Sequence, residues 1–330
     1  MNKRFWAALV LWAGMLVLSA CLGRYSLSLT DIGGILLGNS PSETAASVFW
    51  NIRLPRVVLT AVSGGALAVS GMVFQTVFSN PLVSPDVLGV ASGCSVGAVL
   101  ALLFLPGWTL PLCSFACGIL TVAFALFLSS FVRHNRVLGM VLAGIVVGSI
   151  SSAVLMLLKF LADPEKQLAS IEYWLMGSFQ NISGWDEVSV VALLVIPAHL
   201  LLYGGRFRVK LLSLGDDQAQ SLGIQPSRVR LLAVICATVL VAAVVSAAGV
   251  VSWIGLLAPH ILRLLGGRDM AKNMGACFFT GGILLMAADL CARALSTVEI
   301  PVSIFTSLFG AVFLCGLLVR AARRKGGGES

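Results

Sequence analysis

Leu231-Leu-Ala-Val-Ile-Cys-Ala-Thr-Val-Leu-Val-Ala-Ala-Val-Val-Ser-Ala-Ala-Gly-Val250 is a run of twenty residues without a charge. An apolar run of roughly 17–25 residues is the length of a membrane span. Directly before it stands a polar island, Ser213-Leu-Gly-Asp-Asp-Gln-Ala-Gln-Ser-Leu-Gly-Ile-Gln-Pro-Ser-Arg-Val-Arg230. The island is helix-prone and flanked by Arg206, Arg208 and Lys210 on one side and by Arg228 and Arg230 on the other. It reads as a cytoplasmic handle on a membrane protein, short enough for a soluble partner to push.

The rest of the 330-residue chain repeats the pattern. It is 58% hydrophobic and 11% charged, with a mean hydropathy of +0.98. An ordinary soluble domain carries about 25% charged residues, so one large soluble core is excluded. In lipid the backbone must satisfy its own hydrogen bonds, which leaves helices or a closed barrel. The apolar runs are continuous rather than alternating, so the fold class is all-α. Ten spans are expected, near 5–23, 56–77, 87–104, 111–131, 138–160, 188–203, 231–250, 254–265, 275–293 and 302–320. They form one transmembrane domain over residues 1–330. The connections 24–52 and 162–187 are long enough to hold short surface helices. The 78–86 connection contains Pro81 and Pro85 and cannot be helical throughout. The first run ends Leu18-Ser19-Ala20-Cys21, like a lipoprotein cleavage box. A lipoprotein carries a soluble body, and the body of this chain is more membrane, so an uncleaved first helix is expected.

Lys and Arg sort by side in membrane proteins. With the N-terminus inside, sixteen of the 22 fall on the inner side and six on the outer. Both termini are therefore expected in the cytoplasm, and the net charge of +8 is no sign of nucleic-acid binding. Three of the outer cations, Arg53, Arg56 and Arg293, stand against the sidedness rule. They read either as docking groups for a partner or as headgroup anchors and local pairs, such as Asp289 with Arg293.

Small residues form stripes in two spans: Gly64, Ala68, Gly71 and Gln75 in the second, and Gly144, Gly148 and Ser152 in the fifth. Such stripes let helices approach closely. Gln75, Gly144, Gly148 and Ser152 are also candidates for a translocation path. Ser63–Gly71 and Val245–Ser252 are alike in texture, each followed by a break, at Pro81 and Pro259, and this suggests an inverted repeat.

Catalytic patterns are missing. No GxxxxGK[ST] loop is present, so the chain is not expected to hydrolyse ATP itself. His134, His199 and His260 are far apart, and neither HExxH nor GxSxG occurs. Cys113 and Cys117 share a helix face without a nearby His and read as packing residues. No acidic residue sits deep in a span as an ion-coupled carrier usually requires. A channel-like or externally driven transporter remains, with an ion-coupled secondary carrier as the competing class.

Several separated blocks resemble the FecCD-type permeases of bacterial ABC importers for iron-siderophores, haem and vitamin B12. They are Arg53-Leu-Pro-Arg56, Asn80-Pro-Leu-Val-Ser-Pro85, Leu88-Gly-Val-Ala-Ser-Gly93, Tyr173-Trp-Leu-Met-Gly-Ser178, Leu214–Gly223, Trp253–Arg263, Ala288-Asp-Leu-Cys-Ala-Arg293 and Glu299-Ile-Pro-Val302. The family often has Gly-Leu-Val/Ile-x-Pro-His, and the matching run here is Gly255-Leu-Leu-Ala-Pro-His260, with Ala258 a mild change. The resemblance implies the type II ABC importer permease fold and a ten-helix protomer paired with a second copy or a paralogue. It implies a cytoplasmic ABC ATPase dimer and an extracytoplasmic substrate-binding protein as partners, in a bacterial inner membrane. An iron chelate is the expected cargo, with haem or vitamin B12 as alternatives. Leu214, Gly215, Asp216, Gln218, Ala219, Leu222 and Gly223 would form the ATPase-coupling helix, near 213–225. Arg53, Arg56 and Arg293 would meet acidic residues of the binding protein. No cofactor and no bare-metal site is expected.

Overall fold

The computed structural model describes residues 3–23, 25, 27–132, 136–182 and 184–326, with side chains described as far as Arg320. Arg24, Arg133, His134 and the charged side chains beyond Arg320 lie outside them. Among the described residues are fourteen α-helices. They are α1 (Lys3–Cys21), α2 (Leu29–Leu36), α3 (Glu43–Ser47), α4 (Leu54–Val77), α5 (Val90–Phe104), α6 (Leu110–Ser129) and α7 (Arg136–Leu161). Then come α8 (Leu168–Leu175), α9 (Trp185–Leu211), α10 (Asp216–Ser221), α11 (Pro226–Ala248), α12 (Ile254–Leu264), α13 (Met270–Ala294) and α14 (Val302–Gly326). The fold is all-α, and each of the ten expected spans has its helix.

Eight of these helices are long and apolar enough to cross a membrane: α1, α4, α6, α7, α9, α11, α13 and α14. The other two are short. At 1.5 Å per residue α5 reaches roughly 22 Å and α12 roughly 16 Å, against a hydrocarbon core of about 30 Å. The expected short surface helices are α2 and α3 in the first long connection and α8 in the second.

The core is built from the helices richest in small residues. α4 is 89% buried over its apolar window and α11 is 72% buried, whereas α1 and α14 are each 17% buried. Lipid tails give no hydrophobic drive between helices, so close backbone approach must supply the contact. A Cβ added at Gly64 would overlap the carbonyl of Gly281, and one at Gly71 the carbonyl of Gly255. The Gly64-Ala68-Gly71-Gln75 stripe is thus the seam along which α4 meets α13 and α12.

Contacts show which connections share an end of the bundle. Arg4 donates to Leu265 O at 2.9 Å, Lys210 pairs with Asp269 at 2.7 Å, and Arg136 bonds Ser227. These gather the N-terminus, the island and the α12–α13 link at one end. At the other, Trp185 donates to Trp50 O at 3.1 Å, and Val302 N donates to Gly177 O at 3.0 Å.

One non-helical stretch joins α11 to α12. Backbone of this kind needs protein partners if it lies at membrane depth, and it has them. Ser178 N donates to Ala248 O at 2.8 Å, and Ser303 Oγ to Val250 O at 2.6 Å. Gly177 and Gly249, with φ of 70° and 73°, let the two chains pass where a Cβ would collide with the facing carbonyls. This stretch is the break after the Val245–Ser252 segment. Pro259, expected to mark it, lies inside α12 instead. Proline has no N–H, so the carbonyl of Gly255 loses its helical donor. Gln75 Nε2 stands 3.4 Å from that oxygen.

Candidate functional site: the polar island and the arginine clasp

The island is a six-residue helix, α10, too short to be stable on propensity alone. Its ends and its base hold it. Gly215 enters with φ 96°, and Asp216 and Asp217 occupy the first turn, where the helix dipole favours negative charge. The far end is a Schellman turn: Ile224 N donates to Ala219 O at 3.3 Å, Gly223 N to Gln220 O at 2.9 Å, and Gly223 takes φ 81°. Pro226 then starts α11 at a position where its missing N–H costs nothing.

Two contacts seat the helix. Ala219 is fully buried. Arg230, 4% exposed, holds Asp216 through Nη2 at 2.5 Å and Nη1 at 3.2 Å. The hydrogen bonds and charge of Arg230 keep the Asp216 carboxyl below its ordinary range. The outward surface is a polar strip, Asp217, Gln218, Gln220 and Ser221, with Leu214 (48% exposed) and Leu222 (58% exposed) at its ends. Leu214, Gln218 and Leu222 are open to a partner, Gly215 and Gly223 shape the turn, Asp216 anchors it, and Ala219 is its floor.

At the opposite end the three arginines meet, with their guanidiniums turned into the chain. A helix leaves its last four carbonyls without intrahelical donors. At the end of α1, Arg53 Nη1 donates to Ala20 O at 2.8 Å and Cys21 O at 3.0 Å, and its Nη2 to Tyr25 O. Arg293 donates to Leu22 O, Ser19 O and Ser19 Oγ, each at 2.6 Å. Arg56 bonds Asp289 Oδ1 at 2.7 and 3.1 Å and Glu299 Oε2 at 3.1 Å, with a further contact to Glu299 Oε1. Arg293 Nε lies 3.1 Å from Asp289 Oδ2, the i,i+4 pair expected from the spacing. Three cations and two carboxylates share one buried cluster, so the repulsion among the cations is relieved from within. Side-chain exposure is 11% at Arg56 and 8% at Arg293. Ser19 and Ala20 of the cleavage-box resemblance are buried under this clasp.

The four path candidates separate. Gln75 is 4% exposed and faces Val83 O and Gly255 O, both at 3.4 Å. Gly144 is buried where a Cβ would overlap Val87 O. A Cβ on half-buried Gly148 would touch nothing within 4 Å, and Ser149 and Ser152 beside it are exposed. The open small-residue surface of α7 is therefore Gly148, Ser149 and Ser152. Sequence reasoning missed Arg230 and Glu299 as partners; their carboxylate and cation counterparts lie 14 and 243 residues away.

The model of the FecCD transport family matches residues 10–320. The molybdate import system permease protein MolB of Haemophilus influenzae is 36% identical over 321 residues, 95% of this chain and 94% of that one. The "Probable iron chelatin transport system permease protein" of Helicobacter pylori (strain 26695) is 36% identical over 86% of each chain. The vitamin B12 import system permease protein BtuC of Yersinia enterocolitica is 37% identical over 84% of each. Among solved structures, a metal-chelate-type ABC transporter in an inward-facing conformation matches with a TM-score of 0.88 and 33% identity, over 96% of this chain and 99% of that one. The chain belongs to the FecCD transport family and is an ABC importer permease.

Proposed function

We propose that this chain is the membrane-spanning subunit of an ATP-driven importer that carries an iron chelate across the bacterial cytoplasmic membrane, with both termini in the cytoplasm. The observation that carries the reading is the island: a polar helix fixed at its base by Asp216–Arg230 and by buried Ala219, with Leu214, Gln218 and Leu222 left outside. A lever must be rigidly joined to the part it moves and free on the face that is pushed. A separate ATPase pair is proposed to seat on that face. A second permease copy is proposed to complete the passage, with Gly148 and Ser152 on the open surface of α7 lining it. A substrate-binding protein is proposed to dock at the opposite end. There Arg53, Arg56 and Arg293 stiffen the platform, and direct pairing with the partner would require its carboxylates to replace internal acceptors.

Iron chelate is favoured by the iron-chelatin relative and the metal-chelate-type structural neighbour. Molybdate is a second reading, favoured by the relative that aligns over 321 residues. The test is reconstitution with the neighbouring ATPase and binding protein in liposomes, offering ferric siderophore, haem, cobalamin and molybdate in turn. ATP-dependent accumulation of ferric siderophore alone supports the iron reading. Accumulation of molybdate alone supports the second. Uptake of any of them without the ATPase sinks the ATP-driven reading.

A further inference from the structure

At the island end, a cavity of about 310 Å³ opens between the tip of α4, the end of α9 and the α12–α13 link. Lys210, Arg263 and Arg268 line it, together with Gln75, Asn80 and Ser213. Three cations on one small wall repel each other unless a counter-charge stands among them. Lys210 has one, Asp269 at 2.7 Å. Arg263 is half-buried, and among the described residues its Nη2 has only long contacts, with Pro81 O at 3.4 Å and His260 Nδ1 at 3.5 Å. Neither Arg263 nor Arg268 has a carboxylate within ion-pair distance among the described residues. Of the other polar lining residues, Thr76 and Ser213 already donate their hydroxyls to Met72 O and Lys210 O and Gln75 Nε2 faces Val83 O and Gly255 O, which leaves the Asn80 amide N–H groups and the Ser79 hydroxyl for a guest.

We propose that this cavity binds a small tetrahedral oxyanion. The guanidinium fork matches tetrahedral oxyanions with two parallel hydrogen bonds, and Asn80 and Ser79 can donate to the remaining oxygens. At roughly 30 Å³ per water in the liquid, the space holds such an ion with part of its hydration. Its position gives it a consequence. Arg263 ends α12, Arg268 lies in the link to α13, Lys210 ends α9, and Ser213 begins the island. A bound oxyanion fastens these segments to one another next to the handle. The same phosphate chemistry has two sources, a free oxyanion from solution or a phospholipid headgroup.

The test uses the purified full-length chain in detergent, and binding is read without an ATPase or a cargo, so it stands apart from the transport assay. Sulfate, inorganic phosphate and molybdate are titrated by calorimetry at fixed ionic strength against chloride. In parallel, native mass spectrometry scores retained phosphatidylglycerol. Arg263→Gln and Arg268→Gln should each weaken binding about tenfold or more, since each removes a hydrogen bond between charged groups. Arg208→Gln, on the same end of the bundle and outside the cavity, should not. Arg268 is exposed, so Arg268→Gln keeps the test open should Arg263→Gln fail to fold. Saturable oxyanion binding lost in these variants supports the free-ion source. Lipid retention lost in them, without free-ion binding, supports the headgroup source. Absence of both, or binding unchanged in both variants, overturns the proposal.

Discussion

Arg230 holds Asp216 with two nitrogens, at 2.5 and 3.2 Å, and so ties the first turn of the island helix to the second turn of α11. The pair joins a surface handle to one of the two most buried helices of the bundle. Loss of Arg230 leaves Asp216 with a half-exposed surface and no clamp, while the rest of α11 stays packed. Arg230→Gln should therefore lower ATP-driven uptake several-fold at nearly normal membrane expression. Equal uptake in the variant would count against a mechanical role for the pair.

The same pair fixes a pH dependence. Arg230 depresses the Asp216 pKa, so the clamp contributes fully above the ordinary aspartate value, about 3.9, and is lost as pH falls through the lower folded value. Association with the ATPase should not change between about pH 6 and pH 8 through this group. Asp216→Asn should reduce association equally across that window. A loss of association in wild type near neutral pH, absent in Asp216→Asn, would show that the depression is wrong.

The arginine clasp predicts a folding phenotype. Arg56 faces Asp289, which is fully buried, and Glu299, which is nearly so. Removing one partner of a buried ion pair costs about 3–5 kcal/mol. Arg56→Glu should cut the amount of folded protein, judged by monodispersity in detergent, and a charge reversal on the binding protein should not restore it. Well-folded Arg56→Glu protein that fails only in docking, and recovers with the reversed partner, would return the arginines to direct pairing.

Two glycines that look alike in sequence should behave differently. Gly71→Ala drives a methyl into the Gly255 backbone, with a cost of about 1–3 kcal/mol or more for overpacking. Gly148→Ala meets nothing and should fold normally. Thermal unfolding of the two purified variants checks this, and similar midpoints would contradict the seam.

Much of this architecture was legible because membrane helices advertise themselves by uninterrupted apolar length. The ten helices and the short surface helices follow from that signal. The island was legible as a polar interruption flanked by cations. Directions of side chains were not. The Arg-Leu-Pro-Arg motif and Arg293 show three cations, but Ser19, Ala20, Cys21 and Leu22 offer them backbone carbonyls, and backbone acceptors leave no mark in a sequence. Glu299 lies 243 residues from Arg56, so no local spacing joins them. Pro259 looked like a break because proline lacks an N–H, yet α12 continues through it with Gln75 beside the carbonyl it leaves free. The burial of Ala219 as the floor under the island was not legible either, because a small residue in a polar run carries no sign of which way it faces.

We propose that the outward face of the island receives the ATPase. The direct measurement is photo-crosslinking in native membranes, with a photoreactive residue placed at Leu222, which is 58% exposed, and a control at Trp108, 74% exposed at the other end of the bundle. A crosslinked ATPase is expected from Leu222 and none from Trp108. No ATPase adduct at Leu222, with one appearing at Trp108, would contradict both the assignment of the handle and the orientation of the chain.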